Sequence, residues 1–238
     1  MTPAAELIRK WVLVQAGDEE DWLKLSLDRM ASAHQERDLY IFMGLAPRRL
    51  GKADLALKAD DLAAADAVCP GWSPLGWSID GAARILALLI APPTRAFADR
   101  FKDLRRTADV AEMIALYRGL PLYPDPESLH FEVGEGLRSN IRSVFESIAH
   151  HNPFPRDHFD DHRWNHMILK ALFVESRLAP VVGLEARANP ELAQILVDYA
   201  EERIAAGRHV PEDLWIPLRP FHDVPGVAAI LQREEAAP

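Results

Sequence analysis

Three histidines at helical spacing are the feature of the sequence that most directly suggests chemistry. His158, His162 and His166 follow one another at intervals of four residues, so on a helix they form a single stripe. Two imidazoles at positions i and i+4 can chelate one metal ion, and Asp157 or Asp161 could add a carboxylate ligand. A metal-bound water would then serve as the nucleophile on a small molecule. The pattern therefore permits a metal-dependent enzyme.

The same stripe also fits the solvated face of an amphipathic helix. Arg163 and Lys170 fall in the same arc of the helical wheel as the histidines. The opposite arc is apolar and holds Trp164, Met167, Ile168, Ala171 and Leu172. Because two spaced histidines do not by themselves define a set of metal ligands, we favour the solvated face and predict no metal ion and no other cofactor.

Two polar residues of this helix are expected among apolar side chains. Asn165 falls between Leu169 and Leu172 on the wheel, where an unpaired amide would cost about 1–3 kcal/mol. It therefore needs a hydrogen-bond partner, for which we favour a neighbouring helix end or the loop at 152–153 over a ligand. Lys170 lies where the helix is apolar nearly all round, so at least part of its stem is expected to be buried.

A further candidate is Arg138, which borders the apolar face of a helix predicted over residues 135–151, beside Phe145. A snorkelling side chain would keep the guanidinium in water. The alternative is a buried anion or a carboxylate partner.

The elements that must position these residues are helices almost throughout, because no segment shows convincing strand alternation. The main predicted helices cover residues 37–45, 52–68, 79–91, 135–151, 158–173 and 189–206, and Thr107 is predicted to cap another helix. Ordinary helices with short connections favour antiparallel pairs. The predicted fold class is therefore all-α, as a bundle or a short α-solenoid of the HEAT or armadillo kind.

The domain organisation is predicted to be a single domain over residues 1–238. A turn-rich connector at 69–77 could mark a sub-boundary. That connector carries Trp72 and Trp77, however, so we favour a loop that is packed on the core.

Composition excludes several classes of partner. The net charge of −9 argues against a duplex nucleic-acid binder, which needs a cationic surface. The longest strongly apolar run, at 85–91, is closed by two prolines and is too short for a membrane span. The N-terminus does not read as a signal peptide, so we expect a cytoplasmic protein. The single cysteine, Cys69, cannot form an internal disulfide.

Four segments of the sequence resemble the EboA family. They read EGLRSN at 135–140, HNPFP at 151–155, WNHMILKALF at 164–173 and VGLEARANPELAQILVDYAEERIAAGR at 182–208. The resemblance runs from about residue 77 to residue 221. It implies a helical protein that is encoded beside a prenyltransferase-like membrane protein and barrel-type enzymes. That gene cluster is linked to the making or export of a secondary metabolite.

The resemblance also implies which residues matter. The recurring positions of the family correspond here to Arg138, Asn140, Asn152, Asn165, Lys170, Arg187 and Asn189. In the family the residue after Trp-Asn is usually glutamine, whereas here it is His166, and this difference weakens the metal interpretation. Asn189 already has a structural role as a helix cap, so we leave it out of the predicted site.

We therefore predict a non-catalytic accessory protein that binds a partner protein or a small metabolite in a pathway of the EboA type. The predicted ligand-binding residues are Arg138, Asn140, Asn152, Asn165 and Lys170. The alternative is a metal-dependent enzyme that acts through His158 and His162, and a third possibility is a purely structural scaffold.

Overall fold

The computed structural model describes residues 1–32, 36–221, 223, 226–228 and 230. Its regular elements over these residues are all helical, with no β-strand, so the all-α prediction is confirmed. The chain divides into two compact units, Met1–Pro153 and Phe154–Pro238. The connector at 69–77 lies inside the first unit, and the single domain over the whole chain stays a prediction.

The first unit contains nine α-helices over its described residues. They are α1 (Pro3–Gln15), α2 (Glu20–Ser32), α3 (Glu36–Leu50), α4 (Ala59–Val68), α5 (Ile79–Ile90), α6 (Phe97–Thr107), α7 (Val110–Arg118), α8 (His130–Leu137) and α9 (Arg142–Ala149).

Helix α5 is the centre of the first unit. Every residue from 79 to 88 is buried, because apart from Asp80 and Arg84 the sequence there is apolar or small. The helix packs against α1, α2, α3 and α7. A helix that is apolar nearly all round needs neighbours on every side, so the first unit is a bundle around α5.

Helix α3 runs through Pro47, where the sequence predicted its end. A proline inside a helix has no N–H to donate to the carbonyl four residues earlier, which here is that of Met43. Arg84 of α5 replaces the missing donor, with its Nε 3.0 Å from the Met43 oxygen. The predicted end was wrong because this replacement comes from a residue distant in sequence.

The guanidinium of Arg84 also forms a buried ion pair with Asp80, at 3.0 Å, and reaches Glu112 of α7 at 3.3 Å. The side chains of Arg84 and Asp80 are almost fully buried. Burying a charge costs several kcal/mol unless partners are close, so this network ties α3, α5 and α7 together in one arrangement.

The helix predicted over 52–68 begins only at Ala59. Residues 53–55 instead run beside the connector, where Leu55 N–H donates to the Trp77 oxygen at 2.8 Å and Ile79 N–H donates to the Ala53 oxygen at 2.9 Å. The prediction was wrong here because these backbone groups find long-range partners that helical periodicity does not reveal.

The N-cap of α7 is Asp109, and the predicted cap Thr107 is the last residue of α6. Asp109 Oδ1 accepts from Glu112 N–H at 2.8 Å, and Glu112 Oε2 accepts from Asp109 N–H at 3.0 Å. This reciprocal capping box satisfies two helix-end donors, which a threonine at 107 cannot do.

The single helix predicted over 135–151 is two helices, α8 and α9, separated by a turn at 138–141. Ser139 Oγ accepts from Ile141 N–H at 3.1 Å, a local bond that competes with the helical pattern. Helix α8 also approaches α7 closely, since a Cβ atom on Gly136 would overlap the Tyr117 ring. Val144, Phe145 and Ile148 of α9 are buried.

The second unit contains α10 (Phe154–His158), α11 (Asp161–Phe173) and α12 (Pro190–Ala205), and α11 packs against α12. The helix predicted over 158–173 therefore begins at Asp161, because Asp160 Oδ1 accepts from Arg163 N–H at 2.7 Å and caps it. Helix α12 begins as predicted, with Asn189 as N-cap and Pro190 at its first position. Among the helices of the described residues, none combines the length and apolar character of a membrane span.

Candidate functional site

The turn between α8 and α9 places Arg138 and Asn140 at the surface. Both residues are exposed, and Arg138 Nε donates to Glu135 Oε1 at 3.0 Å. The expectation that Arg138 borders an apolar face is wrong, because the helix that would have placed it there ends at Leu137.

Asn152 is buried and joins two helix ends within the first unit. Its Nδ2 donates to the Tyr117 oxygen at 3.0 Å and to the Ser147 oxygen at 3.1 Å. These carbonyls lie in the last turns of α7 and α9, where backbone oxygens lack helical partners. Asn152 therefore holds the C-terminal ends of the two helices together.

The residue before it, His151, turns the chain so that Asn152 can reach both helices. His151 has a φ of +54°, in the left-handed region that few residues other than glycine adopt. Its carbonyl accepts from Ser73 N–H at 3.2 Å, which ties the turn to the connector. Such backbone strain is tolerated when surrounding bonds determine the conformation, and it concentrates at functional sites.

A cavity of about 160 Å³ opens beside this turn, and all of its walls belong to the first unit. It lies where the C-terminal ends of α7 and α9 meet the connector. Its lining residues are Ser73, Leu75, Trp77, Ile114, Arg118, Ser143, Glu146, Ser147, His150, His151 and Asn152. The volume is several times the roughly 30 Å³ share of a water molecule and below the roughly 300–1,000 Å³ typical of drug-sized ligands.

Arg118 supplies the positive charge of this cavity. Its Nη1 donates to the Gly76 oxygen at 2.8 Å, which anchors one nitrogen of the guanidinium. Burial lowers the pKa of Arg118, while the negative charge of Asp54 acts in the opposite direction. The side chain stays protonated at neutral pH, so a positive charge lies here partly shielded from solvent.

His151 experiences that charge. The surrounding cavity wall removes part of its hydration and Arg118 lies nearby, and both effects lower the pKa of His151. The imidazole is therefore neutral at pH 7. The acidic residue of the lining, Glu146, is 3.0 Å from Arg142.

The apolar part of the lining comes from Trp77 and Ile114, with Leu75 at its edge. The Trp77 ring is buried and packs at a tilt against Trp72, with 5.7 Å between the ring centroids. Aromatic packing of this kind fixes the position of the indole. The cavity thus joins a rigid aromatic wall to a cationic group.

In the second unit, Asn165 and Asn189 form a reciprocal pair. Asn165 Nδ2 donates to Asn189 Oδ1 at 3.2 Å, and Asn189 Nδ2 donates to Asn165 Oδ1 at 2.9 Å. Asn189 Oδ1 also accepts from Leu192 N–H at 2.9 Å as the cap of α12. The prediction that Asn165 finds its partner at a neighbouring helix end is confirmed.

Arg187 completes this polar cluster. Its Nη1 donates to three backbone oxygens at the end of α10, those of Pro155, Arg156 and Phe159, at 2.6–3.3 Å. Its Nη2 donates to Asp161 Oδ1 at 2.6 Å, and the guanidinium lies 5.0 Å from the centre of the Trp164 ring. Arg187 thus bonds to residues of both α10 and α11 and stabilises the turn between the two helices.

The histidine stripe is only partly assembled. His162 and His166 are neighbours on α11, with 4.3 Å between the ring centroids, but His158 belongs to α10 and lies against Phe154. The break at Asp160 separates the first histidine from the other two. No group of three His, Cys, Asp or Glu residues suited to a metal ion occurs in the described part of the chain.

Lys170 is half-buried on α11, and burial lowers the pKa of its ammonium group.

Of the five predicted ligand-binding residues, Asn152 lines the cavity, while Asn165 belongs to the asparagine pair. Neither Arg118 nor His151 was predicted from the sequence. His151 lies in the HNPFP motif, whereas Arg118 carries no local signal, because only its tertiary surroundings distinguish it from other arginines.

Comparison with known proteins gives one family. A family model described as metabolite traffic protein EboA matches residues 4–219. The match thus begins far before residue 77, where the resemblance of the four segments starts. No match was found among curated proteins or among solved structures.

Proposed function

The chain belongs to the EboA family, and from this membership we propose that it binds a small metabolite in the cavity of its first unit. In this proposal it is a non-catalytic accessory protein of a pathway that makes or exports a secondary metabolite. The family description, metabolite traffic, supports a role in handling a small molecule.

The observation that carries the proposal is the cavity beside Asn152. It combines a fixed guanidinium from Arg118 with the rigid indole of Trp77. Ligand sites are typically concave, partly apolar and equipped with a few convergent polar groups. With about 160 Å³, the cavity suits one end of a metabolite better than a whole one.

Binding is favoured over transformation because two reactive side chains of the wall, Ser147 and Glu146, already have structural partners. Ser147 Oγ donates to the Val144 oxygen at 2.6 Å, and Glu146 pairs with Arg142 at 3.0 Å. A serine nucleophile needs an adjacent base to take its proton, whereas this hydroxyl donates to a backbone carbonyl.

Filling the cavity tests the proposal. Ser143 is exposed at the rim, so Ser143→Phe should block the opening with little effect on the buried core. Purified protein would be incubated with a small-molecule extract of the source cells and then separated from unbound compounds. We expect a compound in near-stoichiometric amount on denaturation of the unsubstituted protein, identified by mass spectrometry, and its loss in Ser143→Phe.

Ser32→Phe is the matched control, because Ser32 is an exposed helical serine that does not line the cavity. It should retain the same compound as the unsubstituted protein. Retention by Ser143→Phe as well, or no retained compound in any of the three proteins, would contradict the proposed function.

A further inference from the structure

We infer that the cavity takes the carboxylate end of an apolar or aromatic monocarboxylic acid, with Arg118 as the binding group. This inference rests on the proposed function and makes it more specific. Three independent features of the first unit support it.

The first feature is the lack of a carboxylate partner for Arg118. Every other arginine of the first unit that is not exposed has a carboxylate oxygen within 4.0 Å. These pairs are Arg9 with Asp28, Arg84 with Asp80, Arg95 and Arg100 with Glu36, and Arg105 with Glu132. Within the residues that the structure describes, Arg118 has no such pair. Asp54 acts on Arg118 only from beyond ion-pair distance, so its charge compensates the burial of the guanidinium in part, and an anionic ligand in direct contact would offset more of that cost.

The second feature is the geometry of the guanidinium. Nη1 is fixed by its bond to the Gly76 oxygen at 2.8 Å. The Nε and Nη2 groups make no hydrogen bond to any described residue, so the edge of the guanidinium that carries these two N–H groups is available to a ligand. Two parallel N–H groups on one edge match the two oxygens of a carboxylate.

The third feature is the charge balance of the wall. His151 is neutral at pH 7 because burial and the charge of Arg118 lower its pKa. Glu146 adds a negative charge to the lining, although Arg142 is 3.0 Å away. With Glu146 in the lining and Asp54 also acting on Arg118, the wall suits at most a single added negative charge, and a dianion such as a phosphate monoester would be repelled.

The rest of the ligand is specified by the apolar wall. Trp77 and Ile114 offer a ring and an aliphatic surface beside the guanidinium. A ligand with its carboxylate on Arg118 would therefore place a flat or branched apolar group against the indole.

The experiment compares benzoate with benzamide, which has the same shape and no charge. The full chain, labelled with ¹⁵N, would be titrated with each probe while the Trp77 indole N–H and His151 signals are followed by NMR. We expect saturable shifts with both probes and a dissociation constant for benzoate at least about tenfold lower, as an ion-assisted pair implies. In Arg118→Met the two constants should become equal, and Arg118→Lys should keep part of the preference.

Arg106→Met is the control for nonspecific charge effects, because Arg106 is exposed and does not line the cavity. It should leave the tenfold preference unchanged. Equal binding of the two probes to the unsubstituted protein would overturn the carboxylate assignment and leave the cavity as a metabolite site. Absence of shifts with benzoate would also overturn it, and the extract experiment would then decide whether the proposed function fails too.

Discussion

Arg118 in the first unit and Arg187 in the second are both partly buried, and they differ in how their donors are used. Arg187 donates to three backbone oxygens and to Asp161, and its guanidinium lies over Trp164. Arg118 makes one hydrogen bond to the described residues, to the Gly76 oxygen. The two residues are chemically identical, so the difference lies entirely in the surroundings.

This contrast separates structural groups from candidate binding groups. A polar side chain whose hydrogen bonds run mainly to backbone and side-chain groups of the fold stabilises that fold and has little left for a ligand. A side chain that bears the cost of burial without a partner lowers stability, and such costs are found where a protein binds or reacts. Asn165 and Asn189 resemble Arg187 in this respect, because each is the other's partner.

The largest expected effect comes from Arg187→Met, which keeps the apolar stem and removes the guanidinium. We expect the free energy of unfolding of the second unit to fall by about 2–4 kcal/mol, because charged hydrogen bonds to three carbonyls and to Asp161 are lost. Hydrogen exchange measured by mass spectrometry on peptides from residues 154–221 would show it. Arg208→Met, at an exposed arginine, is the control. A loss no larger than in this control would remove the contrast with Arg118.

Asn165→Ala should have the next largest effect, a loss of about 1–3 kcal/mol, because it removes both reciprocal amide hydrogen bonds, while Asn189 keeps its bonds to Leu192 N–H and to the Arg187 oxygen. Urea unfolding of Asn165→Ala, Asn189→Ala and the double variant would measure the coupling. We expect the double variant to lose about 1 kcal/mol less than the sum of the single losses. Additive losses would mean that the two amides do not act as a pair.

Arg118→Met, the same substitution in the first unit, should have almost no cost in folding stability. We expect a change of less than about 0.5 kcal/mol, in the stabilising direction, since relief from burying an unpaired charge offsets the lost bond to Gly76. Urea unfolding beside Arg106→Met would measure it. A loss as large as that of Arg187→Met would make Arg118 a structural residue.

The smallest effect concerns pH and His151. The pKa of His151 is lower in the folded protein than its ordinary value near 6.5. Between these two pKa values the unfolded chain binds a proton that the folded protein does not bind, so acid favours the unfolded chain there. Stability from this residue is complete above about pH 6.5 and is lost as pH falls through the folded pKa. His151→Asn, which tolerates the left-handed backbone, should remove this component. The difference in the free energy of unfolding between pH 7.5 and pH 5 should change by less than about 1 kcal/mol, because His151 loses only part of its hydration and remains exposed to solvent.

Local patterns predicted much of the helical content. The start of α12 was predicted correctly, because Asn189 and Pro190 act on the helix that directly follows them. The need of Asn165 for a partner was also predicted correctly, since an unpaired buried amide is costly in any fold. The breaks after Leu137 and before Asp161 were missed, because apolar spacing continues across both while local side-chain bonds interrupt the helix.

Spacing and residue type within a few turns are enough to predict the all-α class, the apolar faces and the polar residues that must find partners. The identity of those partners depends on contacts between residues that are far apart in the chain. Pro47 stays within α3 because Arg84 donates to Met43, and Asn152 can hold α7 and α9 because His151 turns the chain. Arg118 lines a cavity without a carboxylate of the described residues in ion-pair contact because of the residues folded around it, and such contacts between residues distant in sequence leave no periodic signal.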